Sequence, residues 1–305
     1  MKAFTPQTLV FKSISALMTA LGQPLPLHPL IALVHYDQAK PNLEHAGKNF
    51  LIDFYKISFK KDFKGQVKYG QGYYDFEEGG LAFLAPNQLV TMSGEERNYE
   101  GYTLYFHADL IRNTHLGKNM QQYGFFSYAV SEALFLSEKE KEVILAIFKS
   151  IATELDHHID AFSQDVMVSQ LELLLNHSNR FYNRQFMTRK AVYHDLIDNL
   201  KKYLDARLEQ NRSSSGGLPT VQEVADHLHV SARYLTDLLK SLTGQSTQQY
   251  LHSHLIENAK DRLSTSRLSI AEIAYQLGFE HPQSFNRLFK RFTSLSPNAY
   301  RQSFN

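Results

Sequence analysis

The stretch SIAEIAYQLGFEHPQSFNRLFKR, from Ser269 to Arg291, decides the reading of this chain. Ser269 followed three residues later by Glu272 is a capping box, a reciprocal pairing of side chains and backbone N–H groups that starts a helix. Gly278 can take the positive φ that ends a helix. Pro282 suits the first turn of the next, where its missing N–H has no helical partner anyway. Phe285, Leu288, Phe289 and Phe292 recur at helical spacing and make one apolar face. Gln283, Asn286, Arg287 and Lys290 fall on the other face, where side chains can reach base edges and phosphates. The stretch reads as helix, tight turn, helix.

The same pattern stands upstream. Thr220-Val221-Gln222-Glu223-Val224-Ala225 matches Ser269 to Ala274 at an offset of 49, and Leu239-Lys240-Ser241-Leu242-Thr243 matches Phe289 to Thr293 at an offset of 50. The extra residue of the second copy falls in or just after its turn, and the match extends to Tyr250 and Tyr300. In the first copy Thr220 and Glu223 form the capping box, and Ser231 is a good N-cap for a helix from Ala232 to Leu242. Leu235, Leu238, Leu239 and Leu242 make its apolar face, leaving Arg233, Thr236, Asp237 and Lys240 outside. Ser246 with Gln249 starts a spacer helix expected from Thr247 to Leu263, roughly 25 Å long at 1.5 Å per residue. Successive major-groove faces lie about 34 Å apart, so two such units can read adjacent turns of one duplex. One helix pair alone says little; two copies in phase, each with its caps, say a great deal.

Residues from about 192 to 301 resemble the DNA-binding domain of the AraC/XylS regulators, most specifically over Ile273 to Arg291 and in the closing Ser296-Pro297 and Tyr300-Arg301. The resemblance implies seven helices and two recognition helices in consecutive major grooves of promoter DNA. The candidate DNA-binding residues are Arg233, Tyr234, Thr236, Asp237 and Lys240 in the first unit. In the second they are Gln283, Ser284, Asn286, Arg287, Lys290 and Arg291, with Arg301 beyond it. Two departures are visible: Ser294 stands where the family usually has glycine, and Asp237 where a basic or polar residue is common.

The N-terminal part has a different grammar. From Phe50 to about His107, short apolar and aromatic runs are punctuated by Gly70, Gly72, Gly79, Gly80 and Pro86, the signature of several short strands in a small barrel or sandwich. Glu78 to Gln88 resembles a strand and turn of the cupin-like barrel that the family often joins to its reader. Phe50, Phe54, Tyr55, Phe59, Tyr69, Tyr73, Tyr74, Phe76 and Phe83 crowd this region. They read as barrel core, or as the wall of an apolar small-molecule pocket. From Ser137, with Glu140 completing a capping box, the period turns helical. Ile144, Ile147, Ile151, Leu155, Ile159 and Phe162 form one stripe. Further helices are expected over about Gln164 to Asn176, with Val166 among its apolar residues, and over Val192 to Leu208. A polar, glycine-rich loop is expected from Asn211 to Gly217.

The expected fold is therefore α+β. A cupin-like β-barrel sensor (1–136) and a helical connector that pairs two subunits (137–189) precede an all-α double helix-turn-helix domain (190–305). The 305 residues carry a formal net charge of +1, but from His281 onward Arg287, Lys290, Arg291 and Arg301 meet no Asp or Glu. Such a one-sided basic tip suits phosphate contact.

The absence of cysteine excludes disulfides, thiolate metal sites and cysteine nucleophiles. Lys12, three prolines and His28 interrupt the apolar residues between Leu9 and Val34, so neither a signal peptide nor a membrane span is expected, and the cytoplasm is the default home. His35, His45, His107 and His115 lack metal-ligand spacing, and the adjacent His157 and His158 point two ways, so no metal or cofactor is expected. No catalytic motif appears. The expected partners are promoter DNA, a second copy of the chain, a small-molecule effector whose contacts are unassigned, and RNA polymerase. The rival readings are a cupin-type enzyme fused to DNA-binding helices and a barrel that only dimerises.

Overall fold

The computed structural model describes residues 8–36, 49–62, 66–69, 72–75, 79–91, 100–188, 190–213 and 217–304. It forms two compact units, one up to Gln185 and one from Phe186.

The first unit is built on strands β1 (Thr8–Phe11), β2 (Ile31–His35), β3 (Asn49–Ile52), β4 (Tyr55–Asp62), β5 (Gln66–Tyr69), β6 (Gly72–Asp75), β7 (Gly80–Leu84), β8 (Leu89–Thr91), β9 (Glu100–Phe106) and β10 (Leu134–Phe135). Helix α1 (Ile14–Ala20) follows β1, and the short helices α2 (Ala108–Ile111) and α3 (His115–Asn119) follow β9. The strands group as β1-β3-β8, β10-β7-β4-β9-β2 and β5-β6, and no sheet closes on itself among the described residues.

Period-2 alternation gives the five-stranded sheet two distinct faces. Ile57, Phe59, Leu81, Phe83, Tyr102 and Leu104 share one, which the long helices α4 (Glu138–Asp156) and α5 (Ser163–Thr188) help to cover. Phe148 of α4 stacks on Phe59 and Tyr102 at 5.7 and 5.3 Å, and Tyr182 of α5 meets Phe83 at 6.2 Å. The other face turns to α1 and the three-stranded sheet. Phe54, Tyr105 and Ala32 pack with Ile14, Leu17, Met18 and Ile52, and Leu84 packs with Phe50.

The aromatic run is thus core at Phe50, Phe54, Phe59 and Phe83, while Tyr55 is half-buried. The side chains of Tyr69, Tyr73 and Tyr74, and Phe76 itself, lie outside the described residues, as do Glu78 and His45.

The connector departs from its expected outline. The Ser137–Glu140 box forms, and Ile144, Ile147 and Ile151 are buried. The stripe then stops: Ile159 and Phe162 are 60% and 72% exposed. The Asp160 carboxylate accepts the N–H groups of Phe162 and Ser163, so the chain leaves one helix and starts the next just where the apolar period would have continued. Val166, near the start of α5, is also exposed. That helix runs past the expected end at Asn176, because Phe181, Tyr182 and Phe186 keep its buried face going. Arg184 ties it to α4 through a two-pronged bond to Glu140, at 3.0 and 2.7 Å.

The second unit contains α6 (Lys190–Ser213), α7 (Val221–His227), α8 (Ala232–Thr243), α9 (Thr247–Thr265), α10 (Ile270–Gln276), α11 (Pro282–Thr293) and α12 (Pro297–Gln302). The capping boxes at Thr220, Ser246 and Ser269 are all made. The expected loop start at Asn211 is corrected: α6 continues to Ser213, and Asn211 is buried with its amide donating to the Gly217 carbonyl at 3.1 Å.

Helices α8 and α11 both end on a left-handed residue, Gly244 at φ 75° and Ser294 at φ 63°. Serine there carries a Cβ penalty that glycine avoids. Ser294→Gly is expected to stabilise the unit by about 0.5–1 kcal/mol, read as a higher denaturant midpoint at unchanged slope.

Candidate nucleic-acid interface

Each of α8 and α11 is held by a core that its own helix pair does not complete. In the first helix pair Val224, Ala225, Leu235 and Leu239 close around Leu200 and Leu204 of α6 and Leu251 of α9. In the second, Ile273, Ala274, Leu277, Phe279, Phe285, Leu288 and Phe289 close around Leu208 of α6 and Leu255, Ile256, Ala259 and Leu263 of α9. The spacer α9 therefore belongs to both cores and fixes one helix pair against the other. Its nineteen residues span roughly 28 Å.

The turns are built alike. Leu228, His229 and Val230 donate N–H groups to the carbonyls of Val224, Asp226 and Ala225; Leu277, Gly278 and Phe279 donate to those of Ile273, Tyr275 and Ala274. His229 and Gly278, 49 positions apart, both have positive φ, 56° and 91°. The additional residue of the second copy lies between Phe279 and the N-cap His281.

Helix α11 carries the candidates of the second copy. Gln283, Asn286, Arg287, Lys290 and Arg291 are exposed, and Ser284 is half-buried. Among the described residues Gln283, Asn286, Arg287 and Lys290 have no hydrogen-bond or ion-pair partner, so Arg287 does not pair with Glu280. Arg291 lies against the Phe292 ring at 5.5 Å, and Phe292 itself is partly exposed rather than core. Burial, then the Arg291 charge, lowers the pKa of half-buried His252 on α9 and favours its neutral form.

The face of α8 is partly consumed internally. Arg233 Nε donates to Asp237 Oδ2 at 2.8 Å, an i,i+4 pair, and Thr236 bonds the Ala232 carbonyl and the Thr247 hydroxyl. Lys240 is exposed, at the position matching Lys290.

Two expected contacts are corrected. Tyr234 is buried, ringed by Phe186, with its hydroxyl 3.1 Å from that of Tyr193; it braces α8 against α6 and does not face outward. Arg301 donates from Nε to the Leu263 carbonyl at 3.3 Å, and its Nη2 is buried, so it closes the end of α9. His281, exposed at the N-cap of α11 with no capping bond, joins the candidate set. Its place one residue before Pro282 was the available signal.

Sequence models of a helix-turn-helix domain and of an AraC-like ligand binding domain match residues 224–303 and 53–170, together well over half of the chain. The chain belongs to the AraC family. Two AraC-family relatives illustrate the likeness. The raffinose operon transcriptional regulatory protein RafR of Pediococcus pentosaceus is 37% identical over 84 residues, covering 28% of this chain and 30% of the relative. The regulatory protein PocR of Salmonella typhimurium (strain LT2) is 31% identical over 119 residues, covering 39% and 37%. The chain spans about a third of the length of these curated relatives. The solved C-terminal domain of the two-component response regulator yesN from Fusobacterium nucleatum is 32% identical, with a TM-score of 0.29, covering 34% of this chain and 98% of that one.

Beside this AraC-type arrangement, no group of three or more His, Asp or Glu side chains converges among the described residues. His107 caps α2, and His115 bonds Glu172 at 3.0 Å. No helix among the described residues is long and apolar enough to cross a membrane.

Proposed function

We propose that this AraC-family chain is a sequence-specific regulator of transcription that binds promoter DNA through α8 and α11 and is gated by a small molecule held in its first unit. The observation that carries this reading is α11. It is a helix with an apolar back sealed into the core and a front of Gln283, Asn286, Arg287 and Lys290, which have no partner among the described residues. Arginine bonds guanine bidentately, asparagine or glutamine bonds adenine, and a lysine one turn on suits a phosphate.

The relatives, an operon transcriptional regulatory protein and a regulatory protein, agree with this reading. The match of residues 53–170 to a ligand-binding model supports an effector. Exposed Ile159 and Phe162 just before α5 and Val166 and Leu173 in its first half support pairing of two copies. RNA polymerase is a further proposed partner, and the site needs no cofactor.

The test separates reading from gripping. Arg287→Ala is expected to cost about 1–3 kcal/mol on the cognate site and to relax preference at one base position. Lys290→Ala is expected to weaken all sequences alike and lower the salt slope by about one unit. Cognate and scrambled duplexes, titrated at two salt concentrations, provide the comparison. An Arg287→Ala loss of equal size on both duplexes removes it from base reading.

A further inference from the structure

The five-stranded sheet ends on β2, and no described strand pairs with its outer side. The Tyr36 N–H donates to the Gly101 carbonyl and the His107 N–H to the Leu30 carbonyl, so by alternation Ala32 and Val34 turn their backbone groups toward β9. Those of Ile31, Leu33 and His35 turn to the open edge. A single bridge to His28 occupies Ile31, which leaves the Leu33 N–H and C=O without a backbone partner among the described residues. Open edges are commonly covered by other parts of the chain. Here the neighbouring segment, Gln23 to Leu27, contains Pro24 and Pro26, which have no N–H to donate to a ladder.

A cavity of about 380 Å³ lies at this edge, bounded by β2, the segment 23–27, Met18 of α1 and the end of α4 at Ala152, Leu155 and Asp156. Its volume suits a small molecule, and Met18, Pro24, Leu27, Leu33 and Leu155 make its walls mostly apolar. Asp156 is the only Asp, Glu, Lys or Arg among the lining residues, and its carboxylate has no partner among the described residues. It is the last residue of α4, where the final carbonyls lack intrahelical donors and carry partial negative charge. No basic residue stands in that last turn to offset it. Gln23 Oε1 and the Leu33 carbonyl, also without partners among the described residues, add two acceptors.

We propose that this cavity binds a small organic amine, its ammonium paired with Asp156 and its hydrocarbon body lying against Leu33, Leu155 and the proline-bearing segment. An ammonium has three donors and no acceptor, which matches a wall offering a carboxylate, a carbonyl and an amide oxygen. An organic anion would meet Asp156 and the negative end of α4 at close range. A neutral alcohol could use the same acceptors but gains nothing from the charge. The site spans β2 and α4, so a bound amine bridges the sheet and the connector. The proposal deepens the reading of the first unit as an effector sensor and rests on it.

The experiment uses the full chain and two matched sets of probes, hexylamine with hexanol and hexanoate, and benzylamine with benzyl alcohol and benzoate, read by calorimetry and thermal shift. At least one amine is expected to bind and raise the melting temperature, with its alcohol about five- to twentyfold weaker and its carboxylate weaker still. Asp156→Asn keeps the side-chain shape and is expected to bring the amine down to the affinity of the alcohol. Because Asp156 is exposed, that variant should melt without probe at the temperature of the unsubstituted protein. Ala152→Arg, one turn earlier on the same face of α4, puts a resident guanidinium beside Asp156 and is expected to abolish amine binding. Promoter binding of both variants in the absence of probe should be unchanged.

Alcohols or carboxylates binding as well as amines, no binding by any of the six, or an Asp156→Asn protein that keeps the amine preference would each overturn the proposal. So would an Asp156→Asn protein that melts lower, since the carboxylate would then be structural. Undiminished amine binding by a folded Ala152→Arg protein would put the site elsewhere and overturn it too; if that variant does not fold, Asp156→Asn decides alone. A protein that binds duplex DNA specifically yet ignores the amines loses only this inference; one that does not bind DNA specifically loses the regulator reading itself.

Discussion

A fragment beginning at Lys190 is expected to fold and bind duplex DNA, whereas one beginning at Leu218 is expected to be mostly unfolded at room temperature. The two differ by α6 and the loop after it. Leu200 and Leu204 are 0% and 3% exposed inside the first core, and Leu208 is 4% exposed inside the second. Leu196, Ile197 and Tyr203 cover the first core further. Burying one leucine contributes about 1.5–3 kcal/mol, so three alone put the loss at about 5–9 kcal/mol. Whole domains have only about 5–15 kcal/mol of stability. The shorter fragment would also expose Val224, Ala225, Leu235 and Leu239 to water. Thermal melts of the two fragments by circular dichroism provide the check, and equal midpoints would refute the role given to α6.

Gly278→Ala is expected to destabilise the second unit by about 2–5 kcal/mol. Gly278 sits at φ 91°, where a Cβ crowds the backbone at a cost of about 1–2 kcal/mol. A Cβ would also lie 2.6 Å from Asn211 Nδ2 and 2.7 Å from the Gly217 carbonyl oxygen. Those two atoms bond each other and close the end of α6 onto the turn, so the added carbon forces them apart, costing about 1–3 kcal/mol more. His229, at the matching position of the first copy, already carries a side chain at φ 56° and is exposed. His229→Ala therefore serves as the control, expected within about 0.5 kcal/mol of the parent. Urea denaturation of all three proteins gives the comparison; a Gly278→Ala midpoint equal to that of the control would show that the turn tolerates a side chain.

The double motif was legible because its signals are local. A capping box spans four residues, a left-handed turn one, and an apolar face about a dozen, so Thr220, Ser246, Ser269, Gly278 and Pro282 announce their elements without knowledge of the rest. The connector was less legible for the same reason in reverse. The stripe through Ile159 and Phe162 has helical spacing, but α4 ends at Asp156, and Asp160 captures the N–H groups of Phe162 and Ser163 where α5 starts. Asn211 beside a serine and glycine run reads as loop, yet its buried amide has a partner in the Gly217 carbonyl that local composition does not advertise.

By itself the sequence determined that there are two helix-turn-helix units with a spacer between them, that a strand-rich region precedes them, and that Arg287 and its neighbours lie opposite an apolar face. These follow from rules acting within a turn or two of backbone. Only the tertiary structure decided which amphiphilic side chains stay outside. Tyr234 reads like a groove contact until Tyr193, forty-one positions upstream, supplies a partner for its hydroxyl. Arg301 reads like a phosphate ligand until the Leu263 carbonyl, thirty-eight positions upstream, accepts from its guanidinium. Long polar side chains can satisfy their donors in water or in protein, and which they do depends on groups that only the folded chain brings near.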